Sequence, residues 1–208
     1  MKRRDEFLIG PKEKLIEAIK SGKTEEALRY TNDLYEMFRG MHDGFINTIS
    51  LMHGKLAEAH GEEWLEGFTR ARMARWRSIF QTMRDMSPED RVKMICDIHR
   101  PMYSEFHVEE DDEKFVIAIT GCNNGGRLIR DGIAKQQNAL TKKAYPWCFN
   151  RVGVPHYCIH AAVFDEIFKD LDLKIEIQWG KQYDEQGKQI DEPCKLSLIH
   201  ISEPTRPY

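Results

Sequence analysis

The hydrophobic pattern changes its period near residue 101, and this change limits the folds open to the chain. Before it, apolar residues recur in steps of three and four, as from Leu28 through Phe38 and Phe45 to Leu56. That spacing places them on one face of a long helix. Four helices are predicted in this region, running from Pro11 to Ser21, Thr24 to His60, Leu65 to Met83 and Ser87 to Arg100.

After the change, apolar and polar residues alternate. Residues 104–109 and 114–120 alternate on either side of an acidic turn, which predicts a β-hairpin. Further on, Pro155 opens a predicted helix over residues 156–171, and a predicted strand follows over 173–179. We therefore expect an α+β fold.

The predicted domain organisation follows the same change of pattern. Residues 1–101 form a helical bundle, which docks on an α+β region with a small antiparallel sheet in residues 102–195. The remaining residues, 196–208, are set apart because Leu196–Pro207 resembles a translated sequencing-library adapter of the kind found at the ends of metagenomic contigs. We expect this tail to be artefactual and the natural sequence to be cut near Cys194 or Lys195. The alternative is a genuine strand over 195–201.

Composition narrows the class of protein. A net charge of −3 disfavours a nucleic-acid binder, and no apolar run approaches the roughly 20 residues needed to span a membrane. Five dispersed cysteines, with no signal-peptide pattern at the N-terminus, indicate reduced thiols. A cytoplasmic protein is expected, without nucleic-acid or membrane partners.

Cysteines and histidines gather in the last third of the chain. The run from His156 through Cys158 to His160 lies between Cys122 and Cys194. Thiolate and imidazole groups bind Zn²⁺ tightly when they converge, so these five residues are the candidate metal ligands. Cys158 and His160 are alternatively a catalytic thiol and its base. The third interpretation is that all of them are ordinary core residues.

A loop rich in glycine and asparagine, residues 121–126, precedes Arg127. Adjacent glycines can leave backbone N–H groups facing a concavity, and an arginine can hold a carboxylate or phosphate. Asn124, Gly125, Gly126 and Arg127 are therefore candidate substrate-binding residues. A tight connection with a solvated Arg127 is the alternative.

Two polar residues interrupt the apolar stripes of the predicted helices. His42 falls close to the stripe of the second helix, and Arg72 lies between Phe68 and Trp76 in the third. A polar group in such a position needs a partner or lines a cavity. Both are candidate substrate-binding residues, with a buried structural hydrogen bond as the alternative.

Part of the sequence resembles a known family. The segment Gly153–Cys158, the helix and alternating strand after it, and Pro193-Cys194 are similar to the C-terminal part of the L-2-amino-thiazoline-4-carboxylate hydrolase-like family. Cys122 with Gly125–Leu128 is similar to a Cys-Gly-Ser-Gly-Gly-Arg-Leu pattern of uncharacterised proteins with a helical first half, although asparagines replace its second and third residues here.

The resemblance implies an α+β domain and a thiol- or zinc-assisted hydrolase of a small anionic heterocyclic or amide-like substrate, with Cys158 and Cys194 in the site. Two other functions stay open. One is a non-catalytic domain that senses a small ligand or a metal. The other is a structural protein that forms a homodimer through the helix face from Met41 to Leu56.

Overall fold

The computed structural model describes residues 9–184, 186–190 and 192–199. Its α-helices are α1 (Pro11–Lys20), α2 (Thr24–His60), α3 (Glu62–Met73), α4 (Trp76–Gln81), α5 (Pro88–His99), α6 (Gly125–Arg130), α7 (Ile133–Gln136) and α8 (Ile159–Asp170). Its strands are β1 (Glu105–Glu110), β2 (Lys114–Gly121), β3 (Ile175–Gln178) and β4 (Cys194–Ile199). The predicted α+β class is confirmed.

The first two helices begin and end where the sequence predicts. Pro11 occupies the first turn of α1, and the Glu13 carboxylate accepts the Gly10 N–H at 3.0 Å. Gly22 and Gly61 follow α1 and α2 with φ of 67° and 88°, a conformation that costs glycine little. None of the described helices is long and apolar enough to span a membrane.

The predicted third helix is interrupted. It consists of α3, α4 and a 3-10 turn at Thr82–Asp85. Near Ala74 the helix tightens, because the Arg77 N–H bonds to the Ala74 carbonyl three residues back, at 3.2 Å. The periodicity of the apolar residues continues across this junction, which is why the sequence alone predicts one helix.

The helix predicted to begin at His156 starts as a single 3-10 turn, His156–Cys158, and becomes α-helical only at Ile159. The loop predicted over residues 121–126 is shorter in the structure. Its last two residues, Gly125 and Gly126, form the first turn of α6.

The four strands form one antiparallel sheet in the order β1-β2-β4-β3. In the predicted hairpin, Phe106 lies opposite Ile119, and Asp111 Oδ1 closes the turn by accepting the N–H groups of Glu113 and Lys114. β4 pairs on both sides, with Leu196 opposite Ile117 of β2 and Ile177 of β3.

Strand β4 includes the first four residues of the segment that resembles an adapter. Leu196 and Leu198 are buried in the sheet. An alternating apolar pattern is sufficient to form such a strand whatever the origin of the segment, so the adapter assignment stays a prediction. Residues 200–208 lie outside the described residues.

The division into compact units differs from the predicted boundary at residue 101. One unit comprises Met1–Phe45 and the other Ile46–Tyr208, so the division falls within α2. In the second unit, helices α3–α5 belong with the sheet and α8. Phe80 of α4 packs edge-to-face on Phe164 and lies 4.7 Å from Phe168, measured between ring centroids, which joins the helices of both predicted regions in one core.

Candidate functional site

A cavity of about 100 Å³ lies in the second unit. Helices α4, α5 and α8 and the sheet supply its largely apolar wall, which includes Phe80, Ile98, Phe164 and Ile177. The polar groups in its lining include three cysteines, two histidines and a tyrosine: Cys122, Cys158, Cys194, His99, His160 and Tyr157. A small apolar space with a few polar groups is the usual form of a small-molecule site.

The three cysteines come from separate elements. Cys122 follows β2, Cys158 ends the 3-10 turn before α8, and Cys194 begins β4. They also line a second, smaller cavity of about 20 Å³. All five cysteines of the chain are free thiols. The fold therefore brings together the three cysteines predicted to form a site, while Cys96 and Cys148 lie in the core.

Backbone N–H groups surround the Cys122 sulfur. The Gly126 N–H points to Cys122 Sγ at 3.4 Å, and the N–H groups of Asn124 and Gly125 also act on it. Burial raises the pKa of the Cys122 thiol, and these amides oppose the rise. The Cys122 N–H itself donates to Gln182 Oε1 at 2.9 Å, which fixes the start of the loop.

Glycines bring the backbone close to the other two sulfurs. A Cβ on Gly125 would lie 2.2 Å from Cys158 Sγ, and a Cβ on Gly180 would lie 2.1 Å from the Glu192 carbonyl oxygen. Because Gly180 allows this approach, its N–H reaches Cys194 Sγ at 3.3 Å. Burial raises the pKa of Cys158 well above its usual value and that of Cys194 to about 12.

His160 is held in one tautomer. Its Nδ1 lies 2.5 Å from the Tyr157 carbonyl oxygen, so Nδ1–H donates and Nε2 keeps its lone pair. Burial lowers the pKa of His160 to about 4, and it does the same for His99. Both imidazoles are therefore neutral at pH 7, and the cavity contains neutral thiols beside neutral bases.

Four of the five predicted metal ligands line the cavity, and the fifth, His156, does not. His156 is fully buried away from the cavity lining, and its Nε2–H donates to Glu62 Oε1 at 3.2 Å. Across residues 9–184, 186–190 and 192–199, no group of three or more His, Cys, Asp or Glu side chains could hold a metal ion. Zinc binding at these residues stays a prediction, and the reaction proposed below includes no metal.

Arg127, predicted to hold an anion, makes hydrogen bonds within the protein. It is buried, its Nε donates to the Asn123 carbonyl at 3.1 Å, and its Nη2 donates to Asn47 Oδ1 at 2.9 Å. The bond to Asn47 ties the loop to α2. The other predicted loop residues lie closer to the cysteines: Asn124 and Gly125 line the larger cavity, and Gly126 the smaller one.

His42 and Arg72 belong to different units. In the first unit, His42 Nδ1 lies 3.1 Å from Asp43 Oδ1, which agrees with the structural alternative. In the second unit, the Nε and Nη2 atoms of Arg72 are buried and have no hydrogen-bond partner among the described residues.

Sequence reasoning missed several site residues. Tyr157, His99 and Trp179 line the cavity but were not predicted to do so. It also missed His53, which is fully buried near Arg72. A signal was available for His53, because it falls on the apolar stripe of α2 four residues after Ile49 and three before Leu56.

Comparisons with protein-family models, with curated proteins and with solved structures gave no match for this chain. The candidate function therefore depends on the geometry of the cavity and on the resemblance of the short motifs.

Proposed function

We propose that this protein is a thiol-dependent hydrolase of a small anionic heterocyclic or amide-like molecule. The observation that supports it is the convergence of Cys122, Cys158 and Cys194 with His160 around one small cavity. The motif resemblance supplies the substrate class, and it includes Cys158 and Cys194.

In the proposed reaction, Cys158 is the nucleophile and His160 the base. The Cys158 thiol gives its proton to Nε2 of His160 as the sulfur attacks the electrophilic carbon of a C=N or C=O group. The bond from that carbon to the leaving nitrogen or sulfur then breaks, and the imidazolium returns the proton to the leaving atom.

A water molecule completes the proposed cycle. It attacks the carbon bound to Cys158 while His160 accepts its proton, and the bond between that carbon and Cys158 breaks. The proton passes to the released sulfur, which restores the thiol. Because burial favours the neutral forms of both groups, Cys158 stays protonated until a polar substrate enters the cavity.

The test is turnover of L-2-amino-thiazoline-4-carboxylate and related cyclic amidines and amides, followed by loss of substrate on chromatography. We expect turnover by the wild type, none above background for Cys158→Ala, and full activity for Cys96→Ala, a buried cysteine outside the cavity lining. Activity retained in Cys158→Ala would contradict the proposal.

Alkylation by iodoacetamide gives a second measurement, which does not depend on the substrate. If Cys158 reacts only when the protein unfolds and no compound in the panel is turned over, a non-catalytic ligand-binding domain becomes the better account. Elemental analysis belongs to the same experiment, since about one zinc per chain would redirect the mechanism to metal chemistry.

The five free thiols support a reducing, cytoplasmic location as part of this proposal.

A homodimer is a second proposal, and the exposed apolar residues of α2 support it. Phe38, Met41 and Phe45 are 57%, 68% and 64% exposed and follow one another by three and four residues. A second copy of the chain could cover this stripe. Sedimentation should give a dimer that Phe45→Glu dissociates and that Asp33→Ala, an exposed change on the same helix, leaves intact. A monomeric wild type would contradict this proposal.

A further inference from the structure

We infer that Ser50, His53, Thr69 and Arg72 form a binding site for a singly charged oxyanion such as a carboxylate. All four belong to the second unit, Ser50 and His53 on α2 and Thr69 and Arg72 on α3. The inference deepens the proposed function, because it assigns the residues that would anchor the acidic group of the substrate.

The first support is a set of buried polar atoms without partners. Six buried side-chain atoms make no hydrogen bond within the described part of the chain. They are Ser50 Oγ, Thr69 Oγ1, both ring nitrogens of His53, and Nε and Nη2 of Arg72. The His156 backbone approaches His53 without reaching hydrogen-bond geometry. Since nearly all buried polar groups in proteins are paired, a concentration of unpaired donors indicates a ligand.

The second support is their placement. Ser50 and His53 are three residues apart on one helix, as are Thr69 and Arg72 on the other, so each pair shares a helix face. His53 packs edge-to-face on Phe68 of α3, with ring centroids 5.9 Å apart, which brings the two helix faces close together. Ser50, His53 and Thr69 are fully buried, so they lie in a protected interior site.

The chemistry of the site indicates the charge of its ligand. Nε and Nη2 form the edge of the guanidinium that presents two parallel N–H groups, which is the geometry that holds a carboxylate through both oxygens. His53 adds a neutral donor, because burial lowers its pKa to about 3, and the two hydroxyls can also donate. One arginine charge matches one negative charge and leaves a dianion uncompensated.

The charge of Arg72 acts on residues of the cavity with the cysteines. Arg72 acts electrostatically on Tyr157 and His160, and both residues line that cavity. A molecule whose carboxylate binds Arg72 could therefore place its remaining atoms towards His160 and Cys158. This relationship is what connects anion binding with the proposed reaction.

The experiment uses formate and acetate as probes and records the thermal melting temperature at pH 7 and constant ionic strength, with chloride as the reference salt. The wild type should show a saturable rise in melting temperature. Arg72→Met should abolish it, and Thr69→Val should weaken the apparent affinity several-fold. Arg84→Gln, an exposed arginine elsewhere, should respond as the wild type does.

Three results would overturn the inference: no response of the wild type, an equal response of Arg72→Met, or a response to the dianion sulfate as large as that to acetate. If Arg72→Met does not fold, Thr69→Val and Ser50→Ala decide, and unchanged affinity in both would reject the site. Cys158→Ala must keep the full response. The anion site and the thiol chemistry can therefore fail separately.

Discussion

Glu62 and His156 form a buried pair that joins the start of α3 to the segment before α8. Glu62 Oε1 lies 3.2 Å from His156 Nε2, and the Lys142 N–H also donates to both carboxylate oxygens, at 2.9 and 3.2 Å. One carboxylate thus satisfies donors from two distant segments. This explains why His156 is a structural residue and does not face the cysteines.

Glu62→Ala should therefore lower the free energy of unfolding by about 2–4 kcal/mol, because it leaves buried donors without an acceptor. Urea unfolding measures the change. Glu63→Ala is the matched control, since Glu63 is the next residue of α3, is exposed and accepts a 3.3 Å bond from the Tyr145 hydroxyl. Equal losses in the two variants would show that the pair is not stabilising.

The buried histidines predict acid sensitivity. Burial lowers the pKa of His53 to about 3 and of His99 and His160 to about 4, from an ordinary value of 6.5. Between pH 6.5 and 4 the unfolded chain binds protons that the folded chain does not. The free energy of unfolding should therefore decrease as the pH is lowered, by at most about 1.4 kcal/mol per pH unit for each histidine.

Urea unfolding at pH 7, 6 and 5 measures this slope. His99→Leu should reduce it, since it removes one of the histidines whose pKa burial lowers, whereas His107→Gln should not, because His107 is on the exposed strand β1. A stability that stays constant from pH 7 to 5 would contradict the prediction.

Gly125 is predicted to be essential for the position of the Cys158 sulfur. In Gly125→Ala the new Cβ would have to displace that sulfur, because the unrelaxed separation is 2.2 Å. We expect a loss of about 1–3 kcal/mol in stability and altered Cys158 alkylation. Gly67→Ala is the control. It lies in α3 with open space around it and should stabilise the protein by roughly 0.5–1 kcal/mol. Similar effects of the two changes would argue against the close contact.

Asp165 links α8 to the sheet. Its Oδ1 accepts the Ile177 N–H of β3 at 2.8 Å, and its Oδ2 lies 2.6 Å from Lys169 Nζ. Asp165→Ala should cost about 1–3 kcal/mol in chemical denaturation, and Asp165→Asn less, since the amide oxygen can still accept the N–H. Lys169→Met should change stability by less than about 1 kcal/mol, because that ion pair is exposed on the lysine side. If Lys169→Met cost more stability than Asp165→Ala, the ion pair with Lys169 would be the more important contact of Asp165, and the bond to Ile177 the lesser one.

The sequence predicted most elements because their signals are local. The apolar steps of α2, the proline at the start of α5 and the alternation of β1 and β2 each depend on neighbouring residues only. The break between α3 and α4 was missed, since the apolar period continues through Ala74 while only the hydrogen bonds change. Residues 127–154 show no regular apolar pattern, so the sequence did not predict α7 or the greater part of α6.

The sequence by itself determined the α+β class, the long helix and the hairpin, and it indicated which cysteines could form a site. The tertiary structure decided which side chains meet. Cys194 reaches Cys122 and Cys158 because β4 pairs with β2 and Gly180 allows close backbone contact, whereas Glu62 binds His156 across 94 positions in the chain. Hydrophobic periodicity fixes the face on which a residue lies, but its partner depends on long-range packing, which no local pattern encodes.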